Sequence, residues 1–435
     1  MNTRVHSGSS RILAALLSLF LLLGQALPAA AAEIATNQIQ NWPAGPEVPT
    51  PNAVVMDADT GAVLYNKGMD EVRYPASITK VMTALLAIEN SSLDATVTMG
   101  ANAASLEVWG NSRIDAVEGE VFTMEQCLYA VLLASANGVS RQVAEYIAGT
   151  EENFVNMMNE RAKELGCTNT HFNNSNGLPD PDHYTTAHDM ALILSAAVKN
   201  ETFCAIESNL FYTIPATNKT SAPRELRNHH AMLFEGEWYY DGAFAGKTGY
   251  TDEAHNTLVT AARRGDMTLV CVVMLCDNLD YINDTRTLLD YGFGNFSHAT
   301  PEAGSGETVS GMLTLPNGVS AADAAYTDSE PAEAGSTVSS ASGEESTVTV
   351  TRQYTYNSQP VGTASVTIQV TPAPTAAADD TAPEVSNDED SSSVFSSPLI
   401  LVFAAMDVVG VILIVLFIVR NRKRRRRRGR RRRRH

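Results

Sequence analysis

Ser77 and Lys80 stand three residues apart in "PASITKVMTALLAI", with no histidine in the surrounding sequence. A serine hydroxyl is a poor nucleophile at neutral pH and needs a base beside it, and Lys80 is the candidate. Two further short elements follow in order: Ser135 and Asn137 in "SANG", and Lys247, Thr248 and Gly249 in "GAFAGKTGYT". Each is weak alone. A Ser-x-x-Lys spacing arises by chance in roughly one chain in two of this lysine and serine content. A solvated lysine at a helix start and a loop-capping Ser-x-Asn are the plain alternatives. All three together point to covalent chemistry on a serine, with a lysine as base and a second cation nearby.

The elements that must position these groups can be read from spacing. Ser77 falls at a helix start, near unpaired backbone N–H groups and the positive dipole end. Lys80 follows one turn on, and Val81, Leu85 and Ile88 keep the spacing of one buried face. Burial, the dipole and a second lysine (Lys247) would all lower the Lys80 pKa, as a neutral amine base requires. "TMEQCLYAVLLA" (123–134) predicts a helix with Thr123 and Gln126 as a capping box. It breaks at "SANG", and "VSRQVAEYIAG" resumes helical spacing, so the polar loop is held between two packed helices. "AVVMDADTGAVLYN" (53–66) predicts a hairpin around Asp-Thr-Gly. "GAFAGKTGYT" and the two strands around the Arg-Gly-Asp turn in 256–275 predict antiparallel strands, closed by a helix over 277–293.

Both ends of the 435-residue chain stand apart from this core. Residues 1–32 have the charged, apolar and small-residue order of a secretory signal. Residues 398–419 are 22 mostly apolar residues, enough to span a bilayer, with Asp407 as a tolerated polar residue. Residues 420–435 carry thirteen basic residues and read as a cytoplasmic tail rather than a nucleic-acid-binding arm. The net charge of −18 includes that tail, so the part before the span is more acidic still and is excluded from backbone-neutralising nucleic-acid binding. Residues 36–298 are expected to form the catalytic domain. Residues 299–372 are expected to hold a low-complexity segment and a small β domain, with β alternation over 346–370. Residues 373–397 read as a disordered linker. The five cysteines have no zinc spacing and are expected to be mostly buried thiols, with one bridged pair left open. His183, His188 and Asp189 form no H-E-x-x-H pattern, so structural roles are expected, with no metal and no cofactor.

The set S-x-x-K, S-x-N and K-T-G resembles that of penicillin-binding proteins and class A β-lactamases. Across residues 50–298, including "SNGLPDPDHYTTAHDMALI" (175–193), the chain resembles the low-molecular-mass penicillin-binding proteins, serine D-alanyl-D-alanine carboxypeptidases of the S11 peptidase type. "QPVGTASVTI" more loosely resembles that family's small C-terminal β domain. The resemblance implies a three-layer α/β transpeptidase domain, with an antiparallel sheet flanked by helices, plus that β domain, whose completeness stays open. It implies Ser77 as nucleophile, Lys80 as base, Asn137 on the lysine and the substrate amide, and Ser135 as proton relay. Lys247 and Thr248 would bind the terminal carboxylate, with Thr251 as an extra contact. Gly249 would let the substrate backbone approach, and the N–H groups of Ser77 and Tyr250 would form the oxyanion hole. The implied partners are peptidoglycan stem peptides ending in D-Ala-D-Ala, β-lactams as covalent inhibitors, and the membrane through the C-terminal helix.

Two rivals remain. A serine β-lactamase shares the acylation machinery, but residues 165–200, where its deacylating glutamate should fall, contain no glutamate. Glu152 and Asn156 lie on a predicted helix too soon after Asn137. A non-catalytic wall-associated membrane protein fits the ends and the acidity, yet gives no reason for three intact motifs.

Overall fold

The computed structural model describes residues 35–277, 279–329 and 346–370. The expected signal (1–32), linker (373–397), membrane span (398–419) and basic tail (420–435) lie outside the described residues. Among the described residues, no helix is long and apolar enough to cross a membrane.

Strand β1 (Asn52–Asp57) turns into β2 (Val63–Lys67) through the Asp-Thr-Gly segment, with Gly61 at φ 75°. Asp57 Oδ1 accepts the Asp59 N–H at 2.8 Å, a local turn that competes with strand continuation. Two small ribbons follow, β3 (Thr96–Thr98) with β4 (Val121–Thr123) and β5 (Phe211–Ile214) with β6 (Arg224–Arg227). Then come β7 (Ala243–Thr251), β8 (His255–Arg264) and β9 (Met267–Cys276). The main sheet has the order β2-β1-β9-β8-β7, with every neighbouring pair antiparallel. In this sheet β7, which carries Lys247, is an edge strand with unpaired backbone groups along one side.

Besides a single helical turn at Ala101–Ala104, the helices among the described residues are α1 (Lys80–Asn90), α2 (Met124–Leu132), α3 (Asn137–Ala148), α4 (Glu151–Glu164), α5 (Ala187–Ala197), α6 (Glu201–Glu207) and α7 (Asp280–Asn295). Thr123 caps α2 through the capping box with Gln126 read from the sequence. The apolar run of β9 explains the three layers. Val270, Val272 and Met274 join the core under the first six helices, while Leu269, Cys271 and Val273 join the core under α7. Val54 and Met56 of β1 divide from Ala53 and Val55 in the same way. A sheet buried on both faces needs continuous rather than alternating apolarity. Each fully buried valine or leucine contributes about 1.5–3 kcal/mol.

A second antiparallel sheet follows α7: β10 (Phe296–Ala299), β11 (Glu307–Pro316), β12 (Ala325–Asp328), β13 (Ser346–Tyr356) and β14 (Gln359–Val370), in the order β10-β11-β14-β13-β12. The sequence indicated β alternation only at 346–370. In the structure, β11 and β12 come from the stretch read as low-complexity, and β10 begins inside the expected catalytic domain. The two sheets meet through Asp57 Oδ2, which accepts from Thr314 Oγ1 at 2.9 Å and pairs with His298 Nε2 at 2.7 Å. All five cysteines are free, four of them buried, so the bridge left open by the sequence does not form.

Candidate active site

The nucleophile candidate sits on a constrained turn. Residues Ala76–Thr79 form a 3₁₀ turn, and α1 proper begins at Lys80, so Ser77 lies just before the helix rather than in it. Ala76 has φ 51°, a left-handed conformation that costs a non-glycine residue about 1–3 kcal/mol and persists only where packing enforces it. Three contacts enforce it. Thr257 Oγ1 donates to Pro75 O at 2.9 Å. A Cβ on Gly177 would lie 1.9 Å from Ala76 O, so only glycine fits there. A Cβ on Gly249 would lie 2.9 Å from Ser77 N and 2.4 Å from Thr257 Oγ1. Gly249 is therefore explained by strand β7 closing on the nucleophile turn.

Lys80 is fully buried. Its Nζ lies 3.0 Å from Ser77 Oγ, 2.8 Å from Asn137 Oδ1 and 2.6 Å from Asn176 O. None of the three partners is charged. Burial, and then the cation of Lys247, hold the Lys80 amine well below its ordinary pKa. A neutral amine has two N–H groups and one lone pair. Asn137 Oδ1 and Asn176 O can only accept, so they take the two N–H groups. The lone pair is left for the Ser77 hydroxyl.

Asn176 belongs to a loop at 173–177 for which the sequence suggested no site role. It is tied down on several sides. Thr83 Oγ1 of α1 donates to Ser175 O at 2.6 Å, and Ser175 Oγ donates to Glu151 Oε1 at 2.7 Å. His183 Nδ1 accepts the Asn173 N–H at 2.9 Å, which leaves its Nε2–H for Thr79 Oγ1 at 2.9 Å. Burial pushes His183 down to about 4, so it stays neutral and holds this loop against the Ser77 turn. Asp189 accepts from Asn169 N and Thr170 Oγ1, and His188 pairs with Asp70. These are the structural roles the sequence suggested.

The second motif lies between α2 and α3, where Asn137 already opens α3 and donates its N–H to Ser112 O at 2.9 Å. Ser135 is at φ 59°, and its buried Oγ has no hydrogen-bond partner among the described residues. A groove of about 600 Å³ opens here, lined by Ala134, Ser112, Arg113, Arg227 and His229. From β7, Lys247 is buried, and its Nζ donates to Thr248 O at 3.1 Å. Burial lowers the Lys247 amine, and the carboxylate of Glu207 holds it up. The Tyr250 side chain is exposed and bonds Asp252. Thr251 Oγ1 accepts the Ala254 N–H at 3.0 Å in the β7–β8 turn. Among the described residues, only Asp57, Asp59 and His298 bring three metal-ligating atoms within 4.8 Å, and Asp57 there already bonds Thr314 and His298.

Comparison with known proteins gives this geometry a family. Residues 39–278 match the D-alanyl-D-alanine carboxypeptidase family. The chain is 36% identical over 251 residues to D-alanyl-D-alanine carboxypeptidase DacF of Bacillus subtilis, a match covering 56% of this chain and 62% of that protein. It is 32% identical over 262 residues to the D-alanyl-D-alanine carboxypeptidase of Streptomyces sp. K15, covering 57% and 88%. Among solved structures, penicillin-binding protein 5 of Haemophilus influenzae superposes with a TM-score of 0.60 at 25% identity, covering 75% of this chain and 98% of that one. With the family matched over more than half its length, the chain belongs to the D-alanyl-D-alanine carboxypeptidases.

Proposed function

We propose that this chain removes the terminal D-Ala from peptidoglycan stem peptides through an acyl-enzyme on Ser77. The observation that carries the proposal is the burial of Lys80 among three uncharged partners, one of them Ser77 Oγ. The neutral amine takes the Ser77 proton as Oγ attacks the penultimate D-Ala carbonyl. The N–H groups of Ser77 and Tyr250 receive the oxyanion, with Gly249 holding the strand against the Ser77 amide. As the intermediate collapses, the Ser135 hydroxyl passes the proton from Lys80 to the leaving amine. That role suits a buried hydroxyl with no fixed partner. Lys247 and Thr248 bind the leaving residue's carboxylate, while the edge of β7 pairs with the extended peptide. Water then hydrolyses the ester. β-Lactams acylate Ser77 by the same route.

The signal-like leader and the apolar segment at 398–419 support export and anchoring, with the catalytic domain outside the cell membrane and the basic tail inside. The deciding experiment incubates the full-length chain with a stem pentapeptide and measures released D-Ala, alongside a penicillin time course. Stoichiometric D-Ala release with slow penicillin turnover is expected. Rapid penicillin destruction without D-Ala release would make the chain a β-lactamase. No covalent adduct at Ser77 would leave only a wall-binding role.

A further inference from the structure

Glu207, the last residue of α6, is fully buried, and neither of its carboxylate oxygens has a hydrogen-bond partner. It also stands at the negative end of its helix dipole. Burial opposes its charge and raises the carboxyl pKa to about 7, and a buried carboxylate is costly unless something opposite balances it. The Gly246 N–H and the Asn228 side chain favour its charge less than Lys247 does, and Asn228 Nδ2 donates to the backbone carbonyl of Glu207 at 3.0 Å. The balancing group is Lys247, on the strand against which α6 packs.

Other titratable neighbours do not supply the balance. His230 is buried with its Nε2 on Thr260 Oγ1, and His229 lines the groove. Burial, and then Lys247, hold the His230 imidazole near 4, so it is neutral at physiological pH, and the His229 imidazole is shifted in the same direction. Arg227 is exposed, with its guanidinium over the Phe234 ring. Arg263 and Glu201 act on Cys204 of the same helix. Lys80 feels Lys247, but Glu207 is not among the groups acting on it. One carboxylate thus acts on one of two buried lysines.

We propose that Glu207 is a positioning residue for the carboxypeptidase reaction: the buried counter-charge that keeps Lys247 protonated while Lys80 beside it stays neutral. The proposal rests on the assignment of Lys247 to the terminal carboxylate. Burial drives both lysines toward the neutral amine, and a site with two neutral amines has a base but no anchor for the substrate carboxylate. Glu207 separates the two protonation states without touching substrate.

The test compares the wild-type chain with Glu207→Gln, following D-Ala release from pH 5 to 10. An opposite charge within reach is worth about 1–3 pH units to its partner. The alkaline limb of kcat/KM is therefore expected to move down by about that much. The loss should sit in KM, about tenfold or more at pH 8, with kcat within about threefold. Glu207→Asp, which keeps the charge but withdraws it by one methylene, is expected to place the limb between those of Glu207→Gln and wild type. A folded Glu207→Gln chain whose profile superposes on wild type overturns the proposal. If Glu207→Gln does not fold, Glu207→Asp decides, because its carboxylate is withdrawn from Lys247 by one methylene. A limb displaced downward then supports the proposal and an unchanged limb overturns it. Absence of D-Ala release by the wild-type chain would instead sink the assignment of the site itself.

Discussion

Two of the buried basic side chains among the described residues sit under opposite conditions. Arg352, in the C-terminal sheet, donates to Glu307 through both Nη atoms and to Asp328 through Nε and Nη2, at 2.7–3.0 Å. The Tyr326 ring covers it at 4.0 Å. Its pKa is raised, by the hydrogen bonds to Asp328 and Glu307 first. Lys80, in the catalytic domain, has no carboxylate among its hydrogen-bond partners in the described residues. Its pKa is lowered, by burial first. The first arrangement stores a permanent charge and the second discourages one. A cation that serves structure is matched with opposite charge. One that must give up its proton is surrounded by neutral acceptors.

The largest expected effect comes from deleting the group that Lys80 serves. Ser77→Ala should lower D-Ala release by at least about 10⁴-fold and abolish covalent penicillin labelling. Retention of labelling would move the nucleophile elsewhere and empty the comparison of meaning. Lys80→Arg comes next. A guanidinium stays charged and cannot act as base, so a loss of about 10²–10⁴-fold in acylation rate is expected despite the retained cation. Near-normal acylation by that variant would show that Lys80 works as a charge, as Arg352 does.

Asn137→Asp breaks the contrast more directly. It places a carboxylate where Asn137 Oδ1 now lies 2.8 Å from Lys80 Nζ, giving the lysine the kind of partner Arg352 has. An opposite charge at this range raises a pKa by about 1–3 units. Acylation at neutral pH should therefore fall by about 10–10³-fold and recover as pH rises. A stopped-flow pH profile that is flat and low throughout would instead assign Asn137 to substrate binding alone.

Stability should report the same inversion. Folded Lys80 loses its proton at lower pH than the unfolded chain does, so the unfolded state binds more protons between the two values. Unfolding free energy then rises with pH up to the ordinary lysine value of 10.5. Lys80→Met should remove this slope. Urea denaturation at several pH values between 7 and 10 measures it, and an unchanged slope would mean that Lys80 is already charged in the fold.

How much of this was legible in the sequence follows from what each contact uses. Ser77, Lys80 and Asn137 meet through side-chain atoms, so residue type and spacing reveal them. Asn176 contributes a backbone carbonyl, which no residue type announces. Glu207 closes a short helix, where a glutamate ordinarily reads as a solvated end. The central strands were visible because both faces are buried, which makes β9 a continuous apolar run. Strand β12 was not, since all four of its residues are exposed and its Ala-Tyr-Thr-Asp composition resembles the surrounding low-complexity stretch. For Gly249 the sequence did not show the close approach of Ser77 N and Thr257, which belong to segments distant along the chain.

The smallest effect is expected at the structural cation. Arg352→Leu removes the groups that hold Glu307 and Asp328 below their ordinary pKa values, by hydrogen bonding first. The folded chain binds fewer protons there than the unfolded one at acid pH. The contribution is therefore full above the ordinary values of 4.5 and 3.8 and fades as pH falls through the lowered folded ones. The network is partly open to water and screened, so a drop in melting temperature of only about 2–4 °C at pH 7 is expected, shrinking toward pH 3. Acylation of Ser77 by penicillin should stay within about twofold of wild type. The two buried basic side chains would then differ in the pH window of their contributions, alkaline for Lys80 and acidic for Arg352, as well as in their partners. A tenfold loss of acylation in Arg352→Leu would overturn that separation, because the C-terminal sheet would then be holding the site through its Asp57 and His298 contacts.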